Sequence, residues 1–530
     1  MRLPNLVYAG GVGRGGQAQF GGYNHNLGAG DGELWDMQNL TSDYFPLLAS
    51  RAPRLRCHRL EQPGGLYCWE KLCWVDGTGF YFDGKLRGQV SQGEKSFTAL
   101  GAYVVIMPDK AWYNVDTGEF GSMESVWSGD RLTFSNGLLF EEEAECNTIQ
   151  CPGINWSDFF RAGDAVTIEG CNIHPENNKT SIIREINGDK LSFYEYVFVL
   201  DGEEGTTPYT ETGNLSVKRT VPDMRYICEN ENRLWGCDER TIYACKPGDI
   251  FNWNVYDGLD TDSFYVDTGS AGVFTGCCAY LGYPIFFKEE HIYKVYGSLP
   301  SNFEVMGSAT LGVMAGSHKS LAIAGEALFY LSRAGIIAYQ GGVPQPIGAA
   351  FGKSRFRAGV AGSDGLKYYV SMEDELGDRR LYVYDTQRGL WHVEDHTEAK
   401  SFAFYDGALY WLDAAGDIWA ADQTAVGHWP EGAQSEGPVT WWAEFSDFTD
   451  NDPNKKGLGK LQLRLELEAG ASVSVYLKMD SDHEWRLVDQ PIDQQAKRSY
   501  ILPIVPERAD HYRLKLEGVG ECRVYSITRG

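Results

Sequence analysis

Leu328-Phe329-Tyr330-Leu331-Ser332-Arg333-Ala334-Gly335-Ile336-Ile337-Ala338-Tyr339 is an apolar strand, a tight turn at Arg333-Ala334-Gly335 and a second apolar strand. The same unit recurs six times. Leu72-Cys73-Trp74-Val75 turns into Phe80-Tyr81-Phe82, and Tyr103-Val104-Val105-Ile106 into Ala111-Trp112-Tyr113. Arg233 to Cys237 leads into Thr241 to Ala244, and Ile285 to Lys288 into His291 to Lys294. Leu366 to Val370 pairs with Leu381 to Tyr384, and Ala408 to Trp411 with Asp417 to Ala420. Turn chemistry between aromatic-rich apolar runs is the signature of a hairpin. Its repetition predicts a β-propeller of about seven blades. Propellers host enzymes, binding modules and assembly parts, so the fold alone assigns no function.

The rest of the sequence agrees with an all-β chain of several domains. Its 530 residues exceed what one small core organises, and 62 glycines with 13% aromatics favour strands and turns. No apolar run reaches eighteen residues, and Met1-Arg2-Leu3-Pro4-Asn5 lacks the apolar stretch of an export signal, which predicts assembly in the cytoplasm without membrane insertion. The twelve cysteines show no C-x-x-C spacing, so free, mostly buried thiols are expected rather than zinc ligands or disulfides. A net charge of -26 disfavours tight binding to a phosphate backbone and suits a surface past which DNA slides.

Five regions follow from the pattern. Residues 1–60 read as a Gly-rich extended arm lying on the propeller or on a neighbour. Gly11-Val12-Gly13-Arg14-Gly15-Gly16 there spells a dinucleotide loop, but no βαβ unit surrounds it. Residues 61–146 form the first part of the propeller and 221–430 the second. Between them, 147–220 has short alternating strands and an Asn187-Gly188 turn, which predicts an inserted small β-barrel-like domain. In 437–530 the strands alternate cleanly, as in Leu461-Gln462-Leu463-Arg464-Leu465-Glu466-Leu467, which predicts a C-terminal β-sandwich.

Catalytic, cofactor and metal signatures are missing from the sequence, and the chain reads as a non-enzyme. The ten histidines show no H-E-x-x-H, and no G-x-S-x-G occurs. His392 and His396 read as surface or loop residues, Glu141-Glu142-Glu143-Ala144-Glu145 as a solvated face, and Asp257, Asp260 and Asp262 lack the Gly and Glu of a calcium loop. Asp480-Ser481-Asp482-His483-Glu484-Trp485 loosely resembles the Asp-plus-Trp hairpin of sialidase-type propellers, but occurs once and outside the repeats.

One set of residues resembles a known family. Asn230-Glu231-Asn232-Arg233-Leu234-Trp235-Gly236, then Thr241-Ile242-Tyr243-Ala244-Cys245 and Gly248-Asp249-Ile250-Phe251-Asn252-Trp253, is similar to a recurring stretch of bacteriophage virion propellers. Those carry an N-R-L-aromatic strand, an I-Y-x-S strand and a G-D-P turn; Cys245 and Ile250 depart from that pattern. Gly21-Gly22-Tyr23-Asn24, Asn39-Leu40-Thr41 and Pro46-Leu47-Leu48-Ala49-Ser50-Arg51 also resemble the family, in its prophage version. The family includes the head-closure (packaged-DNA-stabilising) and tail-nozzle proteins of short-tailed phages.

The resemblance implies a structural tail component of the virion, a nozzle, stopper or related part. It would form a ring with itself, six-fold in the family, that continues the DNA conduit below portal and adaptor during DNA ejection. No cofactor and no metal are implied. Arg2, Arg14 and Tyr23 on the arm, with Arg508, Arg513 and Arg523 in the sandwich, are the expected subunit contacts. The alternative is a tail-tip propeller that binds or cleaves host surface glycans, as adhesin or glycosidase; an intracellular scaffold of the cell is a third.

Overall fold

The computed structural model describes residues 15–139, 144–429, 432–449, 454–480, 482–488, 491–493, 495 and 498–530. The chain is all-β; the helical pieces among these residues are short 3-10 turns, and none is long and apolar enough to cross a membrane. Each repeated hairpin is the middle of an antiparallel meander. Two compact units divide the chain: Met1–Leu72 with Met314–Gly530, and Cys73–Val313.

The first unit holds three propeller sheets and a sandwich. Ala322–Ala324, Ala327–Ser332, Gly335–Tyr339 and Gln345–Pro346 form one sheet; Phe356–Ser363, Lys367–Asp374, Arg379–Asp385 and Leu390–Val393 form the next. Every residue of Ala327–Ser332 is buried, because a propeller strand packs on both faces and must be apolar on both. At Gly362, an added Cβ would lie 2.4 Å from the Phe402 Cβ of the following sheet, so only glycine fits between them. The third sheet, Ala399–Tyr405, Ala408–Asp413 and Asp417–Ala420, takes its next strand from the other end of the sequence: Leu55–Arg59 pairs with Asp417–Ala420.

The sandwich departs from the expectation of a self-contained 437–530 domain. One sheet is Leu40–Thr41, Leu48–Ser50, Cys522–Arg529, Leu461–Leu467 and Ser499–Leu502, with Gly15–Gln17 also paired to Cys522–Arg529. The other is Leu34–Gln38, Thr440–Phe445, Tyr512–Val519, Ser472–Met479 and Arg486–Leu487. Residues 15–60 are therefore not an arm on the surface but edge strands of both sandwich sheets and a strand of a propeller sheet. Leu34, Met37, Leu40 and Leu48 are buried in one core with Leu463, Val475, Leu516 and Val524. Strands of two to five residues show too little alternation to be seen beside their glycines, and their partners lie hundreds of residues away.

In the second unit, Ser96–Leu100 to Phe120–Ser122, Tyr226–Asn230 to Phe264–Asp267 and Gly276–Tyr280 to Glu304–Ala309 are four-stranded meanders. The inserted domain is a seven-stranded sheet in the order Thr180–Ile182, Ala165–Glu169, Tyr209–Arg219, Ser125–Leu138, Glu145–Gln150, Lys190–Ser192, Glu185–Asn187. It curls round a core containing Trp127, Phe134, Trp156, Ile168, Phe193 and Leu215. A hydrogen bond from Arg184 N–H to the Ser192 carbonyl (2.8 Å) extends the pairing of Glu185–Asn187 with Lys190–Ser192. The domain begins at Ser125, before the expected 147, because Ser125–Leu138 pairs with both Tyr209–Arg219 and Glu145–Gln150. A register shift between Gly129 and Arg131 breaks the alternation that would have marked this strand.

Candidate functional site

One row of side chains crosses the sheet Phe356–Ser363 to Leu390–Val393. Tyr369 stands opposite Val383, and Val383 opposite His392, so the three share a face. Two residues along the same strands, on that face, come Lys367 before Tyr369 and Glu394 after His392. Over this row lies the N-terminal stretch from Leu40 to Arg54, and between them is a cavity of about 90 Å³. Its walls are Leu40 to Asp43, Arg51, Ala52 and Arg54 above, and Lys367, Tyr369, Val383, His392, Glu394 and Ala421 below.

Two buried arginines, each 5% exposed, fix the roof. Arg51 grips Glu436 through both terminal nitrogens (2.7 and 3.0 Å) and donates Nε–H to Asn39 Oδ1 (2.8 Å). Arg54 bonds Asp395 (2.6 Å), Thr397 (3.1 Å) and Glu394, and lies over the Trp411 ring. Burial opposes the Arg54 charge, but Asp395 and Glu394 overcome it and hold the guanidinium firmly protonated. Asp395 and Glu436 are likewise held below the usual carboxylate range: burial works against their charge, and the arginines prevail. At the mouth, Lys367 pairs with the exposed Asp43.

His392 differs from its neighbours. It is 7% exposed and lines the cavity, yet no described residue makes a hydrogen bond to its ring. Burial, and then the Lys367 charge, push its pKa down to about 4 against the pull of Asp385 and Asp43, with Arg388 acting in the same sense as Lys367. The ring is therefore a neutral imidazole at neutral pH, one nitrogen a donor and the other an acceptor. The expectation of a surface role for His392 is corrected: the strand turns it inward, whereas His396, three residues past the strand, is exposed and 3.0 Å from Asp378. The alternation Trp391-His392-Val393 did not reveal this, because the residues that bury His392 come from 40–54.

The residues expected at subunit contacts are spread apart. Arg2 and Arg14 lie outside the described residues, as do Glu141 to Glu143 of the acidic run. Tyr23 is buried, 8% exposed, with its amide bonded to the Trp391 carbonyl (2.6 Å), so its own unit already covers it. Arg508 donates to the Lys455 carbonyl (3.2 Å). Arg513 pairs with Glu444 and Asp447 and lies over Trp35, and Arg523 lies 4.4 Å over the Tyr44 ring. Asp262 spends one carboxylate oxygen on the amides of Gly258 and Leu259, capping a loop whose carbonyls, at Asp260 and Asp262, receive Arg233. Among the described residues, Asp480, Asp510 and His511 could offer a metal ion ligand atoms within 4.8 Å of one another, with Lys455 already 3.4 Å from Asp480.

No family model and no curated protein matches the chain. Among solved structures it is similar to an exo-β-1,3-galactanase from Phanerochaete chrysosporium, at 9% identity over 63% of this chain and 99% of that one, with a TM-score of 0.23. It is also similar to PorZ, a surface component of the type-IX secretion system of Porphyromonas gingivalis (12% identity, 88% of this chain, 77% of that one, TM-score 0.25). A third is the β-propeller domain of the Trilobed protease from Pyrococcus furiosus (13% identity, 64% and 96%, TM-score 0.25). The expectation of a non-enzyme is corrected by the first of these, since a glycan-cleaving enzyme stands among the neighbours. At such identities and scores the likeness shows the fold alone and assigns no activity.

Proposed function

We propose that the chain is a building part of a bacteriophage tail, a nozzle, stopper or related part that assembles with itself as a ring and continues the DNA conduit below portal and adaptor. One observation supports this most: residues that carry the resemblance to virion propellers act as joints. An added Cβ at Gly22 would lie 2.3 Å from the Trp391 carbonyl oxygen. Asn39 holds a left-handed backbone (φ 57°), accepts from Arg51 and donates to the Thr440 carbonyl (2.7 Å). These motif residues tie propeller sheet, sandwich and N-terminal stretch together, which is what a load-transmitting part requires. The net charge of -26 fits a surface that DNA passes without adhering. The test is peptide mass spectrometry of density-purified particles from an induced lysogen. The reading expects peptides of this chain in the particle band in stoichiometric amount with the portal; their confinement to the soluble fraction would remove it.

A second reading, a tail-tip propeller that binds or cleaves host surface glycans, is favoured by the polar cavity beside His392. It expects retention or turnover on a panel of host polysaccharides, and a flat panel would end it.

A further inference from the structure

A second cavity, of about 230 Å³, lies within the Cys73–Val313 unit, where the sheet from Ser96–Leu100 to Phe120–Ser122 meets the one from Tyr226–Asn230 to Phe264–Asp267. The two sheets share a core that contains Met107, Met224 and Leu234. Met107, Pro108 and Met224 give the cavity an apolar floor. Its other walls are charged: Lys110, Asp223, Arg225 and Asp238. At about 30 Å³ per water the space holds roughly seven waters, the size of one small organic molecule.

The four charges are of two kinds. Lys110 spends its three donors on Glu124 (2.8 Å), Asp223 (2.7 Å) and the Val221 carbonyl (2.7 Å). Its neighbour Asp109 is likewise taken, by Lys95 (2.6 Å). Arg225 and the half-buried Asp238 differ: among the described residues, neither side chain makes an ion pair or a hydrogen bond. The Arg225 N–H bonds to the Cys237 carbonyl (2.9 Å), which fixes its backbone beside that of Asp238. One unpaired charge on an open surface is ordinary. Two of opposite sign, side by side over an apolar floor and not touching, are complementary to a ligand that carries both.

We propose that this cavity binds a free α-amino acid with an apolar side chain, its carboxylate on Arg225, its ammonium on Asp238 and its side chain on Met107 and Met224. A guanidinium fork takes a carboxylate through two parallel hydrogen bonds, and a carboxylate accepts from an ammonium. Thioether side chains adapt to apolar groups of varied shape. In a free α-amino acid both charges sit on one carbon, which suits side chains that start from adjacent backbones; a peptide carries its terminal charges far apart. A ligand with one charge would cover Arg225 or Asp238 without answering it, and burying an unanswered charge is costly. The inference goes beyond both functional readings and depends on neither.

Isothermal titration calorimetry of the full chain with L-leucine and L-methionine tests it, with 3-methylbutylamine and 4-methylpentanoate as leucine lacking one charge or the other. Both amino acids are expected to bind, and each single-charge analogue at least about tenfold more weakly, the loss of one charge-assisted contact. Arg225→Gln and Asp238→Asn should each weaken leucine by a similar factor with an unchanged melting curve, since neither side chain holds a partner. Arg225→Gln should also erase the preference for leucine over 3-methylbutylamine, and Asp238→Asn the preference over 4-methylpentanoate. Should one variant not fold, the other decides by the same comparison. The proposal is overturned if neither amino acid binds, if an analogue binds as tightly as leucine, or if the variants bind leucine like the parent.

Discussion

His392 is neutral because its strand buries it beside Lys367 and Arg388, and that neutrality sets a pH dependence. Its folded value of about 4 lies below the ordinary 6.5, so between these values the unfolded chain binds more protons than the folded one. Stability is then full above about 6.5, falls as the pH drops through this window and levels off near 4, by about 3 kcal/mol in all. Asp43, Asp385, Asp395 and Glu436 are held below their ordinary values and lose their contribution at lower pH, beneath the His392 window. Urea titrations between pH 4 and 7 should show this slope in the parent and lack it in His392→Gln; equal slopes would contradict the assignment. Arg54→Met should cost about 2–3 kcal/mol, since it leaves the half-buried Glu394 without its partner and Asp395 with Arg51 alone, 3.6 Å away. Denaturant midpoints would read this, and a loss below 1 kcal/mol would mean that the network is solvated and slack.

The N-terminal strands decide whether the sandwich and the last propeller sheet close. Leu34–Gln38 covers one edge of Thr440–Phe445, and Leu48–Ser50 one edge of Cys522–Arg529. A chain lacking residues 1–50 should bind a hydrophobic dye and lose cooperative unfolding; a sharp melt without dye binding would show that these strands are dispensable. Gly22→Ala should cost roughly 1–3 kcal/mol by forcing a Cβ against the Trp391 carbonyl. Sequence reading succeeds and fails along the same line. The seven hairpins were legible because a strand, its turn and its partner are contiguous, as Leu331 and Ile336 across Arg333-Ala334-Gly335. Leu461–Leu467 was legible because seven residues alternate without a break. Residues 15–60 were not, because Leu40 and Leu48 acquire meaning only against Val524 and its sheet. The cavity escaped for the same reason: Arg51 and His392 are brought together from distant parts of the chain, and neither carries a local motif.

For the molecule as a whole, charge and assembly are the claims that matter. At -26 the chain should not retard labelled duplex DNA even at low salt, where electrostatic binding is strongest, and a salt-sensitive shift would contradict a conduit that DNA slides through. Identical parts assemble as closed rings when their contacts are head-to-tail and the rotation closes. Of the residues expected at those contacts, Tyr23, Arg508, Arg513 and Arg523 are engaged within their own unit, and Arg2 and Arg14 lie outside the described residues. The most direct measurement is cryo-electron microscopy of purified particles with symmetry imposed only after focused classification of the tail. The account predicts density for this chain in a closed ring on the tail axis below the portal, its wall facing the DNA path. Particles with a resolved tail and no density for it, or a chain that copurifies only as a monomer, would contradict it.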